Sequence, residues 1–124
     1  MKYKLTQRKN PQHPELQGKW YASPVNDGRI DQKTISAEIV EISSLSRGDV
    51  SNVIESLIDT LPKYLLMGKS VNLGDFGTLR LSFSSAGVDE PADFRTTMIN
   101  GVKVVFTPSV DFKHAIENIK FEKE

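Results

Sequence analysis

An apolar stripe with helical spacing runs through the middle of the chain. Its members recur every three or four residues, which places them on one face of an α-helix: Val50, Val53, Ile54, Leu57, Ile58, Leu61 and Leu65. Ser46 and Asp49 precede the stripe at the spacing of a capping box, with aspartate in the position usual for glutamate. We therefore predict a helix over roughly 47–67 that ends at Gly68. Such an apolar face must pack in a core or against a second copy of the chain.

After this helix the apolar periodicity changes from helical to alternating. Every second residue of Leu79–Ser84 is apolar, which predicts a half-buried strand. Val102–Phe106 predicts a matching strand. The stretch between them contains Gly87 and Pro91 and is long enough for an extended hairpin arm. We expect the tip of this arm near Pro91.

A short helix is predicted to close the domain after the second strand. Thr107 is expected to cap it, with Pro108 as its first residue, because proline is favoured at that position. Its apolar stripe consists of Phe112, Ile116 and Ile119.

The first 30 residues differ in pattern from the rest. Two short strands are predicted around Tyr3 and over 19–23, joined by a proline-rich loop. A helix with an apolar stripe is predicted to start near Asp31. We therefore divide the chain into an N-terminal β extension, 1–30, and a second domain, 31–124.

Charge and composition exclude several classes of function. The 124 residues include 16 basic and 16 acidic side chains, so the chain is not a uniform polycation, yet residues 1–33 carry a net charge of +4. Cysteine is absent, and the two histidines lack partners at catalytic or ligand spacing. We expect no enzymatic activity, no metal and no cofactor. The short apolar runs predict neither a membrane span nor a secretory signal, so an intracellular protein is expected.

One motif links the long helix to the sheet. Residues Leu73–Leu79 have the sequence Leu-Gly-Asp-Phe-Gly-Thr-Leu. With the order of the elements, this segment resembles the bacterial HU and integration-host-factor family over about residues 31–120. The family block is Leu, any residue, Gly-Phe-Gly-Thr-Phe; this chain has Asp75 in place of the first glycine and Leu79 in place of the last phenylalanine. Phe106-Thr107-Pro108 resembles the family's lead into its last helix.

The resemblance implies an α+β fold of the HU type. It comprises two N-terminal helices, a three-stranded antiparallel sheet with an extended hairpin arm, and a short C-terminal helix. Two copies are expected to form an intertwined homodimer. The N-terminal extension is similar to that of longer HU-related proteins of Bacteroides-type bacteria, which share the stretch Gln7–Pro11.

The resemblance also implies a function: an architectural protein of the cytoplasmic nucleoid that binds double-stranded DNA through its phosphates and minor groove. Pro91 takes the place of the wedge that HU-type proteins insert between base steps. The residues expected to contact DNA are Arg80, Pro91, Arg95, Lys103 and Lys113, with Lys2, Lys4, Arg8 and Lys9 in the extension. The residues expected at the dimer interface are Val50, Val53, Ile54, Leu57, Ile58, Leu61, Phe76 and Leu79.

The charge of the arm leaves a second interpretation open. Residues 82–105 contain two basic and three acidic side chains, whereas phosphate binding depends on cations. A dimer of the same fold that contacts protein and has little affinity for nucleic acid also fits this pattern. Pro91 equally suits an ordinary hairpin turn, and the N-terminal lysines equally suit a soluble edge strand.

Overall fold

A computed structural model describes all residues, 1–124, as a mixed α+β protein with three α-helices and two three-stranded sheets. The chain forms two units. Unit 1 comprises Met1–Ile35 and Glu117–Glu124, and unit 2 comprises Ser36–Ile116. None of the helices is both long and apolar enough to cross a lipid bilayer.

The first two helices begin at side-chain caps. Helix α1 spans Gln32–Ile42, and the Asp31 carboxylate accepts hydrogen bonds from the Thr34 backbone N–H and hydroxyl, each at 2.9 Å. Helix α2 spans Arg47–Leu65 and starts at the predicted capping box. There the Ser46 hydroxyl accepts from the Asp49 N–H at 3.1 Å, and the Asp49 carboxylate accepts from the Ser46 N–H at 2.9 Å. Both caps satisfy backbone donors that a helix leaves free at its start.

The end of α2 confirms the predicted role of Gly68. This residue has φ of +79°. Its N–H donates to the Leu65 carbonyl, and the Lys69 N–H donates to the Tyr64 carbonyl. These two bonds form a Schellman motif, which requires a left-handed residue at this position and so favours glycine.

The sheet of unit 2 is antiparallel, in the order β3 (Val71–Asn72), β4 (Gly77–Ser85) and β5 (Ile99–Pro108). Leu79 lies opposite Phe106 and Leu81 opposite Val104, so one face of the β4–β5 hairpin is apolar. The register shifts between Ser82 and Ser84, where β5 has an extra residue. Gly101 lies at this bulge with φ of +64°, a conformation that glycine adopts without strain.

The last helix begins later than predicted. Helix α3 spans Val110–Ala115, and its cap is Ser109, whose hydroxyl accepts from the Phe112 N–H at 3.1 Å. The expectation that Thr107 caps the helix and Pro108 is its first residue is therefore wrong. Both belong to β5, where Pro108 is the last residue and lies opposite Gly77. A proline at the end of a strand sacrifices no ladder hydrogen bond inside the sheet.

Unit 1 is built on the two strands predicted in the N-terminal segment. β1 (Lys2–Arg8) and β2 (Lys19–Pro24) pair antiparallel over six residue pairs. A third strand that the sequence pattern did not predict, β6 (Glu122–Lys123), pairs parallel with β1. The C-terminal segment thus completes the sheet of unit 1.

The single chain buries little apolar surface. Only Val50 and Leu65 are buried hydrophobic side chains. The accessible surface is 10642 Å², whereas two separate compact domains of these sizes would together expose about 8,000 Å². Much of the surface that normally forms a core is therefore exposed in one copy of the chain.

Candidate nucleic-acid interface

The β4–β5 hairpin separates apolar from polar side chains by strand alternation. Arg80 lies opposite Val105 and Ser82 opposite Lys103, so Arg80 and Lys103 are diagonal neighbours on the face away from the apolar one. Thr78 and Thr107 lie opposite each other on the same face. We call these residues the hairpin polar face. It carries two cations, three hydroxyls and one apolar side chain, Val105, but no acidic residue, and neither cation forms an ion pair.

The connection between β4 and β5 contains two short 3₁₀ turns, Pro91–Asp93 and Thr96–Met98. Pro91 is exposed and is the first residue of the first turn, where its fixed φ suits the helical backbone. Arg95 folds back onto this connection. Its Nη1 donates to the carbonyl oxygens of Ala92, at 2.9 Å, and Phe94, at 3.0 Å. Arg95 therefore holds the backbone beside Pro91, a contact that the sequence did not predict.

Lys113 lies on α3 and is exposed. The helix is fixed to the start of the sheet because the Ser109 hydroxyl also donates to the Asp75 carbonyl. Phe112 packs edge-on against Phe76, with ring centroids 5.6 Å apart, and Phe76 lies 5.0 Å from Phe106. This aromatic cluster sets the position of Lys113 relative to the sheet.

A second set of cations lies in unit 1. Lys2, Lys4 and Arg8 alternate along β1 and therefore share one face of its sheet. The register adds Lys19, opposite Arg8, and Tyr21, opposite Thr6. The Arg8 guanidinium lies over the Tyr21 ring, 5.7 Å from its centroid. Sequence analysis missed Lys19 and Tyr21 because only the strand register shows which β2 residues share the face.

The α2 stripe lines an open apolar groove with the apolar face of the hairpin. Its walls include Ile54, Leu57, Ile58 and Leu61 from α2, and Leu79 and Val104 from the sheet. Ile58 and Val104 are each 59% exposed, and Val53 is 53% exposed. Val50 is buried, whereas Phe76 is 52% exposed within the aromatic cluster. Most side chains expected at a dimer interface are thus incompletely covered in one chain.

Two carboxyl groups have shifted pKa values, and both accept hydrogen bonds at the start of a helix, Asp31 before α1 and Asp49 in the capping box of α2. Hydrogen bonds from the Thr34 backbone and hydroxyl lower the pKa of Asp31, and hydrogen bonds from the Ser46 backbone and hydroxyl lower the pKa of Asp49. No group of three His, Asp or Glu side chains is arranged to hold a metal ion. An ion pair joins His13 Nδ1 and Glu15 Oε1 at 3.3 Å.

Comparisons with known proteins identify a matching family and a solved structure of similar fold. The model of the family described as "HU domain fused to wHTH, Ig, or Glycine-rich motif" matches residues 1–123. A crystal structure from Bacteroides vulgatus, described as a "putative bacterial DNA binding protein", resembles the chain with a TM-score of 0.60 at 16% identity. The similarity covers 98% of this chain and 47% of the other, so the chain spans about half the length of that protein. No functionally curated protein gives a significant match.

Proposed function

Because the chain belongs to the HU-HIG family, in which an HU domain is fused to other motifs, we propose that it is an HU-like architectural protein that binds double-stranded DNA as a homodimer. The similar fold of a protein described as DNA-binding supports this role. The proposed action is non-enzymatic and takes place in the cytoplasmic nucleoid. It uses the phosphate backbone and the minor groove, and it needs neither metal nor cofactor.

The hairpin polar face is the observation that carries the proposal. Arg80 and Lys103 are exposed and lack a carboxylate partner, so they are available to phosphates. The hydroxyls of Thr78, Ser82 and Thr107 add donors of the kind that contact DNA phosphates and sugars. Such contacts position a protein on a duplex without reading its sequence.

The surface that one chain leaves exposed supports the proposed dimer. The excess over two compact units is roughly 2,600 Å² per chain, or about 5,200 Å² for two copies, which is at the upper end of the total area buried in obligate dimers. The α2 stripe and the apolar hairpin face form a continuous groove that a second copy would cover. Pairing these grooves would place two hairpins side by side, so that both polar faces meet the same duplex.

The tip of each hairpin supplies the proposed bending element. Pro91 is exposed and rigid, and Arg95 fixes the backbone next to it through two carbonyl contacts. Two such prolines, one from each copy, would unstack base steps from the minor groove, and the bent duplex would gain contact area in return. The remaining donors of Arg95, together with Lys113, are assigned to the phosphates that flank the bend.

The cations of unit 1 add charge that the arm lacks. Lys2, Lys4 and Arg8 share a face of β1, and Lys9 follows directly in the chain. We assign them to backbone phosphates, where each contact adds to the salt dependence of binding without adding sequence preference.

The test is a titration of duplex affinity against salt. Arg80 and Lys103 from two copies provide four cations, so a log–log slope of about −3 or steeper is expected. The charge-removing variant Arg80→Gln should make the slope less negative by about 2 per dimer. Lys69→Gln, an exposed lysine outside the proposed contacts, is the matched control. A flat and weak salt response of the wild-type protein would refute the proposal.

The surroundings of Pro91 favour a second candidate function. Asp89, Glu90 and Asp93 flank the proline, and Arg95 is already bonded to backbone carbonyls. Such a tip repels phosphates and suits a basic protein surface. In this alternative the chain keeps the HU-like fold and dimer but acts as a protein-interaction module, and the flat salt response described above would favour it.

A further inference from the structure

A basic groove lies at the loop end of the β1–β2 hairpin, within unit 1. Three cations line it, Arg8, Lys9 and Lys19, together with Tyr21 and Leu16. No acidic residue lines the groove. Its charge and its single exposed aromatic ring set it apart from the apolar groove of unit 2.

Hydrogen bonds within the loop give this groove a defined form. Gln7 donates from Nε2 to the Gly18 carbonyl at 3.0 Å, across the two strands. Asn10 accepts from the Gln12 N–H at 3.0 Å, and its carbonyl accepts from the His13 N–H. A Cβ at position 18 would lie 2.6 Å from the Arg8 carbonyl oxygen, so only glycine permits this close approach.

The charges around the groove are almost all positive. Glu15 is the only acidic residue among the first 26, and its carboxylate lies 3.3 Å from His13 Nδ1. Arg8, Lys9 and Lys19 form no ion pairs. Three free cations in one concave surface attract a chain of phosphates more strongly than they attract an isolated anion.

Tyr21 gives the groove a second recognition element. Its side chain is 45% exposed, and the Arg8 guanidinium lies 5.7 Å from the ring centroid. An aromatic ring among cations is the combination with which proteins bind unpaired strands, because bases stack on the ring while the cations follow the phosphates. A base inside a duplex is already stacked on its neighbours and cannot use such a ring.

We propose that this groove binds single-stranded nucleic acid, with Lys9 and Lys19 on the phosphodiester backbone and Tyr21 as the stacking platform. Arg8 holds the ring in place and adds charge. The inference rests on the proposed function for the nucleic-acid class of the ligand and shares Arg8 and Lys9 with the duplex contacts assigned above. It differs in needing Lys19 and Tyr21 and an unpaired strand. An HU-like protein with this groove would bind unpaired strands as well as duplex DNA.

The test measures binding of the full-length chain to an oligothymidylate of about 20 nucleotides, long enough for more than one binding site. The double variant Lys9→Ala/Lys19→Ala should make the log–log salt slope less negative by about 1.4. We expect about tenfold weaker binding at low salt. The matched control is Lys33→Ala/Lys69→Ala, which removes the same charge from exposed positions outside the groove.

Tyr21 variants test the stacking contribution separately. Tyr21→Ala should weaken oligothymidylate binding about tenfold, whereas Tyr21→Phe should bind like the wild type because the ring is retained. Trp20 is the only tryptophan and alternates to the other face of β2, so unchanged fluorescence shows that each variant keeps its hairpin. Equal binding by Tyr21→Ala and Tyr21→Phe overturns the inference.

The two proposals fail in different ways. If the wild type binds duplex with a steep salt slope but does not bind oligothymidylate, the groove assignment is wrong and the proposed function stands. If the groove variants weaken duplex binding alone, the groove is a duplex contact and the single-strand assignment is again wrong. If oligothymidylate binds through the groove while duplex does not bind, the proposed function is wrong and the groove assignment stands.

Discussion

Gly77 lies directly against the ring of Phe106. A Cβ at position 77 would be 2.6 Å from Phe106 Cε2 and 2.5 Å from the Thr107 carbonyl oxygen. Gly77 also has φ of +151°, which other residues rarely adopt. The glycine of the Leu73–Leu79 motif thus permits β4 to begin beside the cluster of Phe76, Phe106 and Phe112.

We therefore predict that Gly77→Ala destabilises the protein by about 2 kcal/mol or more, since overpacking and backbone strain act together. Urea denaturation at fixed protein concentration measures the effect. Gly87→Ala is the matched control, because a Cβ at position 87 meets nothing within 4 Å and its φ is not positive. Equal stability of the two variants would contradict the packing described for Gly77.

The capping box of α2 gives a second prediction. Ser46→Ala removes the acceptor for the Asp49 N–H and should lower the free energy of unfolding by about 1 kcal/mol. Ser46→Asn or Ser46→Asp should keep most of the wild-type free energy of unfolding, because asparagine and aspartate are also good N-cap residues. Thermal unfolding of the three variants measures the difference, and an alanine variant as stable as the wild type would show that the cap contributes little.

The pKa of Asp49 predicts a stability change in acid. The Ser46 backbone and side chain lower this pKa from the ordinary value of 3.8, so the carboxylate is favoured in the folded state. The contribution of this carboxylate to the stability of the fold is complete above pH 3.8 and is lost as the pH falls through the lowered pKa. Asp49→Asn should reduce this acid dependence when unfolding is followed by circular dichroism as a function of pH. An identical pH profile for the variant would refute the assignment.

The proposed dimer predicts the effect of charge on the exposed α2 stripe. Ile58→Asp should give a monomeric or unfolded chain, because Ile58 is 59% exposed in one copy and the proposed interface would bury the added charge. Leu57→Asp should do the same at a half-buried position of the same groove. Asn52→Asp adds the same charge on the polar side of α2 and should leave the dimer intact. Sedimentation equilibrium distinguishes these outcomes, and a stable dimer of Ile58→Asp would exclude this groove as the interface.

The hairpin polar face predicts a charge-reversal phenotype. Arg80→Glu places a carboxylate diagonal to Lys103 and should weaken duplex binding at low salt by at least tenfold, with little change in folding. Fluorescence anisotropy with labelled duplex measures this loss. Raising the salt concentration should bring the duplex affinities of the variant and the wild type closer together. A difference in affinity that does not shrink with salt would contradict an electrostatic role for Arg80.

Much of the fold could be predicted because it depends on neighbours in the sequence. The α2 stripe, the Ser46–Asp49 box and the left-handed Gly68 are set by interactions over three to five residues. The alternation in β4 depends only on strand geometry. The family motif was recognisable for a similar reason, since the whole block lies within seven consecutive residues. For the candidate site, the sequence predicted that Lys2, Lys4 and Arg8 contact DNA, and the bounds of β1 place them on one face by alternation.

Other features depend on partners that are distant in the sequence. Ser109 rather than Thr107 caps α3, because Thr107 and Pro108 are held in β5 by pairing with Thr78 and Gly77. The strand β6 is two residues long, and it forms only because β1 offers an edge to it. No local pattern could predict either outcome.

The residues that make up the basic surface of unit 1 and the surroundings of the β4–β5 connection also depend on contacts that form only in the folded structure. The amino-acid sequence by itself determined which residues are charged and which alternate along one strand. The strand register in the tertiary structure decided that Lys19 and Tyr21 join Arg8, and folding of the hairpin connection decided that Arg95 bonds to backbone carbonyls. The physical reason is that periodicity is a property of one segment, whereas register and side-chain partners arise only when separate segments pack together.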